Sequence, residues 1–249
     1  MKRTSDVIII GAGPAGISSA IQLKRYGINF LLFEKNFIGG LLQNASLVGN
    51  YPGFPKGISG LKLISLFKKH LSELGIKTKK ETVLNVARKQ NQYFVKTNKA
   101  IYNSKFLIIA SGTKPRKFIA SGSSAVDIYY DVYELFNVEN KNIAVIGGGD
   151  AAFDYAVSLG RRGNSVSIIH RGSKPKCIPA LLKIVSQMKN ISCFCDLKII
   201  RIYEEKKKII IDCGENKIFK ADYMVAAIGR EAQLDFIGKG KIKIFIKKK

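Results

Sequence analysis

Val7-Ile8-Ile9-Ile10-Gly11-Ala12-Gly13-Pro14-Ala15-Gly16 is the stretch on which the fold turns. Four consecutive apolar residues, with no polar alternation, predict a short strand buried on both faces of a parallel sheet. A helical pattern follows, with Ile17, Ala20, Ile21 and Leu23 on one side and Gly27 at its end. Phe30 to Phe33 then predict a second strand that closes on Glu34. Each glycine has a physical task in such a unit. Gly11 permits the tight turn, Gly13 lets backbone N–H groups approach a pyrophosphate, and Gly16 lets the helix pack closely on the strand. The helix N-terminus adds partial positive charge for the phosphates, and Glu34 can accept both hydroxyls of a ribose. A glycine triplet alone is weak; with its strand, helix, second strand and acid in place it predicts a dinucleotide site.

The pattern recurs. Ile143-Ala144-Val145-Ile146 predicts a strand, and Gly147-Gly148-Gly149-Asp150-Ala151-Ala152 repeats the turn, with Ala152 at the close-packing position. The spacing is 147 − 11 = 136 residues, so one nucleotide-binding architecture occurs twice. A helix is expected to run to about Arg162, capped by Gly163, with Val166–Ile169 as the next strand. The two second strands end differently. The first ends in Glu34, the second in His170-Arg171 with Lys174 and Lys176 behind. A carboxylate suits a free ribose diol and a cationic end suits a 2′-phosphate, which predicts NADP at the second site.

The 249 residues have room for one large domain or two modest ones, and a hydrophobic content of 46% supports a real core. No apolar run reaches the ~18 residues of a membrane span. Met1-Lys2-Arg3 precedes only a four-residue apolar run, so no signal peptide is visible and a cytoplasmic location is expected. The formal net charge is +24. Its lysines are spread along the chain without a recognition motif or interleaved aromatics, which favours a basic surface over specific nucleic-acid binding. Cys177, Cys193, Cys195 and Cys213 form no Cys-x-x-Cys pair and no zinc spacing. They are expected to be buried free thiols, with Cys193 and Cys195 facing one side of a strand.

Between the repeats, the prolines and glycines of Asn50-Tyr51-Pro52-Gly53-Phe54-Pro55 predict a rigid loop. A helix over Gly60–Leu74 is expected to bury Leu63, Ile64, Phe67, Leu71 and Leu74, with His70 solvated. Val83–Val86, Tyr93–Thr97 and Ala100–Tyr102 predict a small antiparallel meander. Phe106–Ala110 predicts a separate buried strand, and Ser111–Pro115 a turn that closes the first unit. Past the second repeat, a helix from Pro179 to about Lys189 is expected. Strands are expected over Ile191–Cys195, Ile199–Tyr203, Ile209–Asp212 and Tyr223–Ala227, before a basic, low-complexity tail from Gly238. The fold class is therefore α/β: two Rossmann-like three-layer domains, each with a small meander. Residues 1–115 with 230–249 form the first and 116–229 the second.

Val7–Gly16 with Glu34, Gly39-Gly40, Asn50–Gly53, Ala110–Gly112, Gly147–Ala152, His170-Arg171 and Ile228-Gly229 stand in the order seen in thioredoxin reductases, which the chain resembles over nearly its whole length. The resemblance implies hydride transfer from NADPH, or NADH, to FAD, a small redox protein or other electron acceptor as partner, and a homodimer. It implies that Gly11, Gly13, Pro14, Ala15, Gly16, Glu34, Gly40, Asn50, Val83, Ser111 and Gly112 touch FAD. It implies that Gly147, Gly149, Asp150, Ala151, Ala152, His170, Arg171, Lys176 and Arg230 hold NADPH.

The chain departs from the family's pattern at several points. The second arginine usual after the histidine is Gly172 here, with Lys174 or Lys176 as substitutes. Tyr130 and Tyr133 occupy the places of the redox Cys-x-x-Cys. Tyr130–Leu135, Gly149–Ala152 and Gly53–Lys56 look closer to the thioredoxin-reductase-like ferredoxin–NADP reductases. The family's Ala-Gly-Asp return and final helix over the flavin have no counterpart after Ile237, which predicts loosely held FAD. Three readings follow: a flavin reductase serving an external acceptor, a nucleotide-binding relative without turnover, and a basic nucleic-acid-binding protein.

Overall fold

The structure, a computed structural model, describes residues 4–238. The chain divides into two compact units. Residues 4–43, Leu61–Lys114 and 232–238 belong to the first; Asn44–Gly60 and Pro115–Glu231 belong to the second. Residues 44–60, expected with the first module, thus cluster with the second. The basic tail expected from Gly238 lies, beyond that residue, outside the described residues.

In the first unit the elements run β1 (Thr4–Ile10), α1 (Pro14–Arg25), β2 (Phe30–Glu34), α2 (Gly60–Glu73), β3 (Thr78–Lys80), β4 (Val83–Lys89), β5 (Gln92–Thr97), β6 (Ile101–Ile109) and β7 (Thr113–Pro115). One six-stranded sheet has the order β3-β2-β1-β6-β5-β4. β1 pairs in parallel with β2 and β6, in the register Ile9↔Leu32 and Ile9↔Ile108. Val7 to Ile10 are all buried, as a strand covered on both faces must be. Val7 and Ile9 pack with Ile17, Ala20 and Leu71 of the helices. Ile8 and Ile10 pack with Val86, Val95 and Tyr102 of the meander, and with Phe236.

The sequence expectation fails at β6. Ala100–Tyr102 and Phe106–Ala110 are not separate strands; one strand, β6, joins them. It pairs antiparallel with β5 and parallel with β1 at once. The polar run Asn103-Ser104-Lys105 resembles a turn, yet Ser104 is buried and its hydroxyl donates to the Phe106 carbonyl at 2.8 Å. Ser5, its register partner on β1, does the same to Val7 at 2.9 Å. Each buried hydroxyl thereby meets its own hydrogen-bonding need. Phe106 itself is 64% exposed, against the expectation of burial. Thr113–Pro115, read as part of a turn, is a short strand.

The second unit contains β8 (Ile128–Tyr129), β9 (Asn142–Ile146), α3 (Asp150–Gly160), β10 (Ser165–Ile169), α4 (Pro179–Gln187), β11 (Ile191–Phe194), β12 (Arg201–Glu205), β13 (Lys208–Asp212), β14 (Ile218–Ala221), β15 (Tyr223–Ala226) and β16 (Arg230–Ala232). Its main sheet has the order β11-β10-β9-β15-β8, parallel throughout. The order β11-β10-β9-β15 repeats β3-β2-β1-β6, so the duplication read from the glycine turns extends to the whole sheet. α3 and α4 cover one face, with Phe153, Ala156, Leu159 and Val185 against Ile143 and Val145. The separate antiparallel sheet β12-β13-β14 covers the other, with Ile202, Ile209 and Ile211 near Ala144, Ile146 and Met224. No helix among the described residues is long and apolar enough to cross a membrane.

Candidate functional site

In the first unit the turn after β1 is built as the glycine spacing requires. Gly11 has φ of 104°, and a Cβ there would run into the Ala110 carbonyl. A Cβ at Gly16 would collide with the Gly11 carbonyl, so the bare α-carbon is what lets α1 lie on the turn. Gly13 is different. It caps α1 without a side-chain hydrogen bond, its φ of −75° suits any residue, and a Cβ there would meet nothing within 4 Å. The missing side chain leaves room beside the N–H groups of the first turn. That turn carries Pro14 at its start and no acidic residue, so its partial positive charge is uncompensated. Ala15 is exposed on it.

Glu34 is held beside this space. One carboxylate oxygen accepts from Ala12 N–H at 2.8 Å and the other from Asn36 N–H at 2.9 Å. Each oxygen keeps a further lone pair for a hydroxyl. Gly39 N–H donates to the Ala12 carbonyl at 2.7 Å, and a Cβ on Gly40 would lie 3.5 Å from the Gly13 α-carbon, so this loop borders the same turn. Ser111 and Gly112 are tied to the returning chain. The Ser111 hydroxyl donates to the Gln233 carbonyl at 2.7 Å, and Gln233 N–H donates to the Gly112 carbonyl at 3.0 Å. Val83 is half-buried at the start of β4. Asn50 belongs to the second unit and is exposed there.

The second unit repeats the design around Gly147–Ala152. Gly147 has φ of 145° and faces the Ala227 carbonyl, while Ala152 is fully buried behind it. Gly149 caps α3 without a side-chain bond, and a Cβ there would again meet nothing within 4 Å. Asp150 occupies the first turn, where its carboxylate accepts from Ile178 N–H at 2.8 Å; Ala151 is exposed beside it. Lys176 N–H donates to the Gly148 carbonyl at 2.7 Å, which lays the exposed Lys174–Lys176 segment along the glycine turn. Arg171 is exposed at the end of β10.

His170 and Arg230 do not join this exposed cationic group. His170 is 6% exposed, and its ring lies under Gly148, where a Cβ would come within 3.0 Å of Cγ. Arg230 donates to Asp131 at 3.3 Å. Asp131 also accepts from the Asn44 amide at 2.9 Å, and Asn44 accepts from Tyr133 N–H at 3.2 Å. Nearby, Ser46 donates to Asp154 at 2.6 Å. Burial pushes the Asp154 carboxyl up, partly offset by the Ser46 hydrogen bonds. Burial, then the Asp131 charge, pushes the Tyr155 hydroxyl up to about 12. The sequence carries no signal for this network, because its members are brought together from segments far apart in the chain. Tyr130 accepts from Phe118 N–H at 3.0 Å.

The cysteines differ from the sequence expectation. Cys193 is exposed and Cys195 is half-buried, because β11 is an edge strand paired only with β10. Cys195 Sγ lies 3.3 Å from His170 Nε2. The Nε2 and the sulfurs of Cys193 and Cys195 all lie within 4.8 Å of one another. Burial, followed by the neighbouring Cys195, pushes the Cys193 thiol up to about 11. No metal-ligand spacing in the sequence announces this group. The available signal was a histidine directly after one strand and a Cys-x-Cys running out of the next, with Ile169 and Phe194 in register.

The family model described as pyridine nucleotide-disulphide oxidoreductase matches residues 5–248. The chain is 30% identical to the thioredoxin reductase of Borreliella burgdorferi over 234 residues, 87% of this chain and 71% of that protein. It is 30% identical to the thioredoxin reductase of Bacillus subtilis over 238 residues, covering 92% and 75%. Among solved structures, the thioredoxin reductase of T. acidophilum superposes with a TM-score of 0.85 at 27% identity, covering 95% of this chain and 80% of that one.

Proposed function

The chain belongs to the pyridine nucleotide-disulphide oxidoreductase family, among its thioredoxin reductase-like members, and from that premise we propose an NADPH-dependent flavoprotein reductase serving an external electron acceptor. The family uses FAD and NADPH. The observation that carries the reading is the unlike pair of repeats. Both have an uncapped helix N-terminus with open space at Gly13 or Gly149, but one is flanked by Glu34 and the other by Arg171, Lys174 and Lys176.

FAD, when bound, supplies a ring that accepts a hydride from reduced nicotinamide and gives up its electrons again. The chain's part is to bind and orient. The N–H groups at the start of α1 would hold the flavin dinucleotide's pyrophosphate, and Glu34 its ribose hydroxyls. Those at the start of α3 would hold the second pyrophosphate, and Arg171 with Lys176 the 2′-phosphate that distinguishes NADPH from NADH. The charge difference between the two flanks supports FAD in the first unit and NADPH in the second.

The acceptor belongs to the same proposal. A dithiol relay needs two thiols with Cα atoms ~4.4–6.8 Å apart beside the flavin. Tyr130 and Tyr133 stand at the family's relay positions and have no such chemistry. All four cysteines come after Arg171. Electrons therefore leave the flavin directly, and the net charge of +24 favours an acidic one-electron carrier of the ferredoxin type. The absorption spectrum of the purified protein, before and after NADPH, is the first test; a flavin spectrum bleached by NADPH is expected. NADPH oxidation is then followed with thioredoxin, ferredoxin or an artificial dye as sole acceptor. Turnover with ferredoxin or dye is expected. Thioredoxin reduction that survives replacement of all four cysteines by serine would overturn the proposal, as would bound flavin with no activity toward any acceptor.

A further inference from the structure

Beside the second glycine turn, the strand ends of β10 and β11 bring one imidazole and two thiols together. We propose that His170, Cys193 and Cys195 form a Cys2His site for a thiophilic d10 cation, Zn2+. The inference does not depend on the nucleotide reading.

The geometry is close to what the ion requires. Zinc bonds of about 2.3 Å to sulfur and 2.0–2.1 Å to nitrogen set tetrahedral edges of about 3.6 Å (S···N) and 3.8 Å (S···S). His170 Nε2 and Cys195 Sγ stand 3.3 Å apart, and the three donor atoms all lie within 4.8 Å of one another. Cys193 is exposed, and its side chain would have to turn toward the other two donors to close the set. The backbones that carry the ligands are already stitched together. His170 N–H donates to the Phe194 carbonyl at 3.0 Å, Leu197 N–H to the His170 carbonyl at 3.1 Å, and Asp196 N–H to the Gly172 carbonyl at 3.1 Å. Gly148 packs against the imidazole, where even a Cβ would come within 3.0 Å of its Cγ. A site held this way spends little ordering entropy on binding.

The chemistry selects the ion. Thiolate and imidazole donors suit zinc and other soft ions, whereas Mg2+ and Ca2+ need oxygen. Two thiolates neutralise a divalent cation, so the bound site adds nothing to the net charge of +24. A cavity of 390 Å3 is bordered by Cys193, Cys195, Lys217 and Phe219, and an ion and a fourth ligand would enter from it.

The test uses the full chain, reduced, stripped with a chelator and free of added nucleotide, titrated with Co2+ as a spectroscopic stand-in for Zn2+. One equivalent should produce thiolate-to-cobalt charge-transfer absorption, and Zn2+ should abolish it stoichiometrically. Cys193→Ser and Cys195→Ser should each weaken binding about tenfold or more, since even supporting groups around a metal are worth about 10- to 100-fold. Cys213→Ser should change nothing. His170→Gln should also weaken binding; if it fails to fold, the two serine variants still decide. An absent charge-transfer band in the reduced wild type, or a band undiminished in the Cys193→Ser/Cys195→Ser double variant, would overturn the site. Uptake of Cu+ without Zn2+ or Co2+ would overturn the assignment to zinc.

Discussion

Gly13→Ala and Gly149→Ala form a matched pair that separates ligand space from fold. Neither glycine needs a special backbone: φ is −75° at Gly13 and −100° at Gly149, and a Cβ at either meets nothing within 4 Å. Alanine is a poorer helix N-cap than glycine by about 0.5–1 kcal/mol, and the stiffer unfolded chain returns about 0.4–1 kcal/mol. The two nearly cancel, so the melting temperature should move by no more than ~2–4 °C. The added methyl instead enters the space where a pyrophosphate oxygen would meet the helix N–H groups. Loss of one charge-assisted hydrogen bond, ~1.5–3 kcal/mol, weakens binding about 10- to 150-fold. Calorimetric titration of the flavin-free protein should show Gly13→Ala losing FAD affinity with NADPH affinity kept, and Gly149→Ala the reverse. Gly16→Ala is the counter-control. Its methyl would strike the Gly11 carbonyl, an overpacking that costs about 1–3 kcal/mol, and it should lower stability. Wild-type FAD affinity in Gly13→Ala, or an equal loss of both nucleotides in either variant, would refute the assignment of one nucleotide to each turn.

Arg171→Ala and Lys176→Ala should each raise the Michaelis constant for NADPH about tenfold or more and leave that for NADH nearly unchanged, measured by initial rates with a dye acceptor. Cys193, its thiol pushed up to about 11, should react with iodoacetamide at pH 8 about 100-fold more slowly than an unperturbed thiol, and mass-spectrometric labelling of the metal-free protein should show the rate still climbing above pH 8, toward about pH 11. Asp154→Asn should raise the melting temperature at neutral pH. Burial raises the folded carboxyl above its unfolded value, so the ionised form opposes folding at neutral pH, and the gain should fade as pH drops and vanish below about pH 3, where both states are protonated.

The parts of the site that were legible in the sequence are those fixed by local spacing. Gly11, Gly13, Gly16 and Glu34 lie within one strand–helix–strand unit, and each glycine meets the carbonyl or the open space its position implies. The repeat at Gly147 gave the second sheet its order for the same reason. What stayed hidden depends on how distant strands align. β6 looked like two strands because the serine that interrupts its apolar run satisfies its own hydroxyl. The exposure of Cys193 and its approach to His170 follow from β11 being an edge strand in register with β10, which no spacing within either strand reveals. Arg230 was expected at a nucleotide, but a partner 99 positions away, Asp131, takes its guanidinium.

The first unit is discontinuous in the chain, and that has a cost during synthesis on the ribosome. Its central strand, β1, cannot gain both neighbours until β6 emerges, and one of its core clusters is completed by Phe236 with Leu234 and Ile237. Every residue from Pro115 to Glu231 is made in the interval. At ~5–20 residues per second, the roughly 130 residues between the end of β6 and Phe236 take about 6–25 s. Through that interval the nascent chain carries a nearly complete sheet with Val86 and Val95 still uncovered on the side Phe236 will seal. The second unit gains β15, the strand between β9 and β8, only about ten residues before Phe236, so both units close late in synthesis. A chaperone that shields apolar surface would then act on the first unit while the second is being made, and slowing translation across residues 115–231 would lengthen the exposure rather than relieve it.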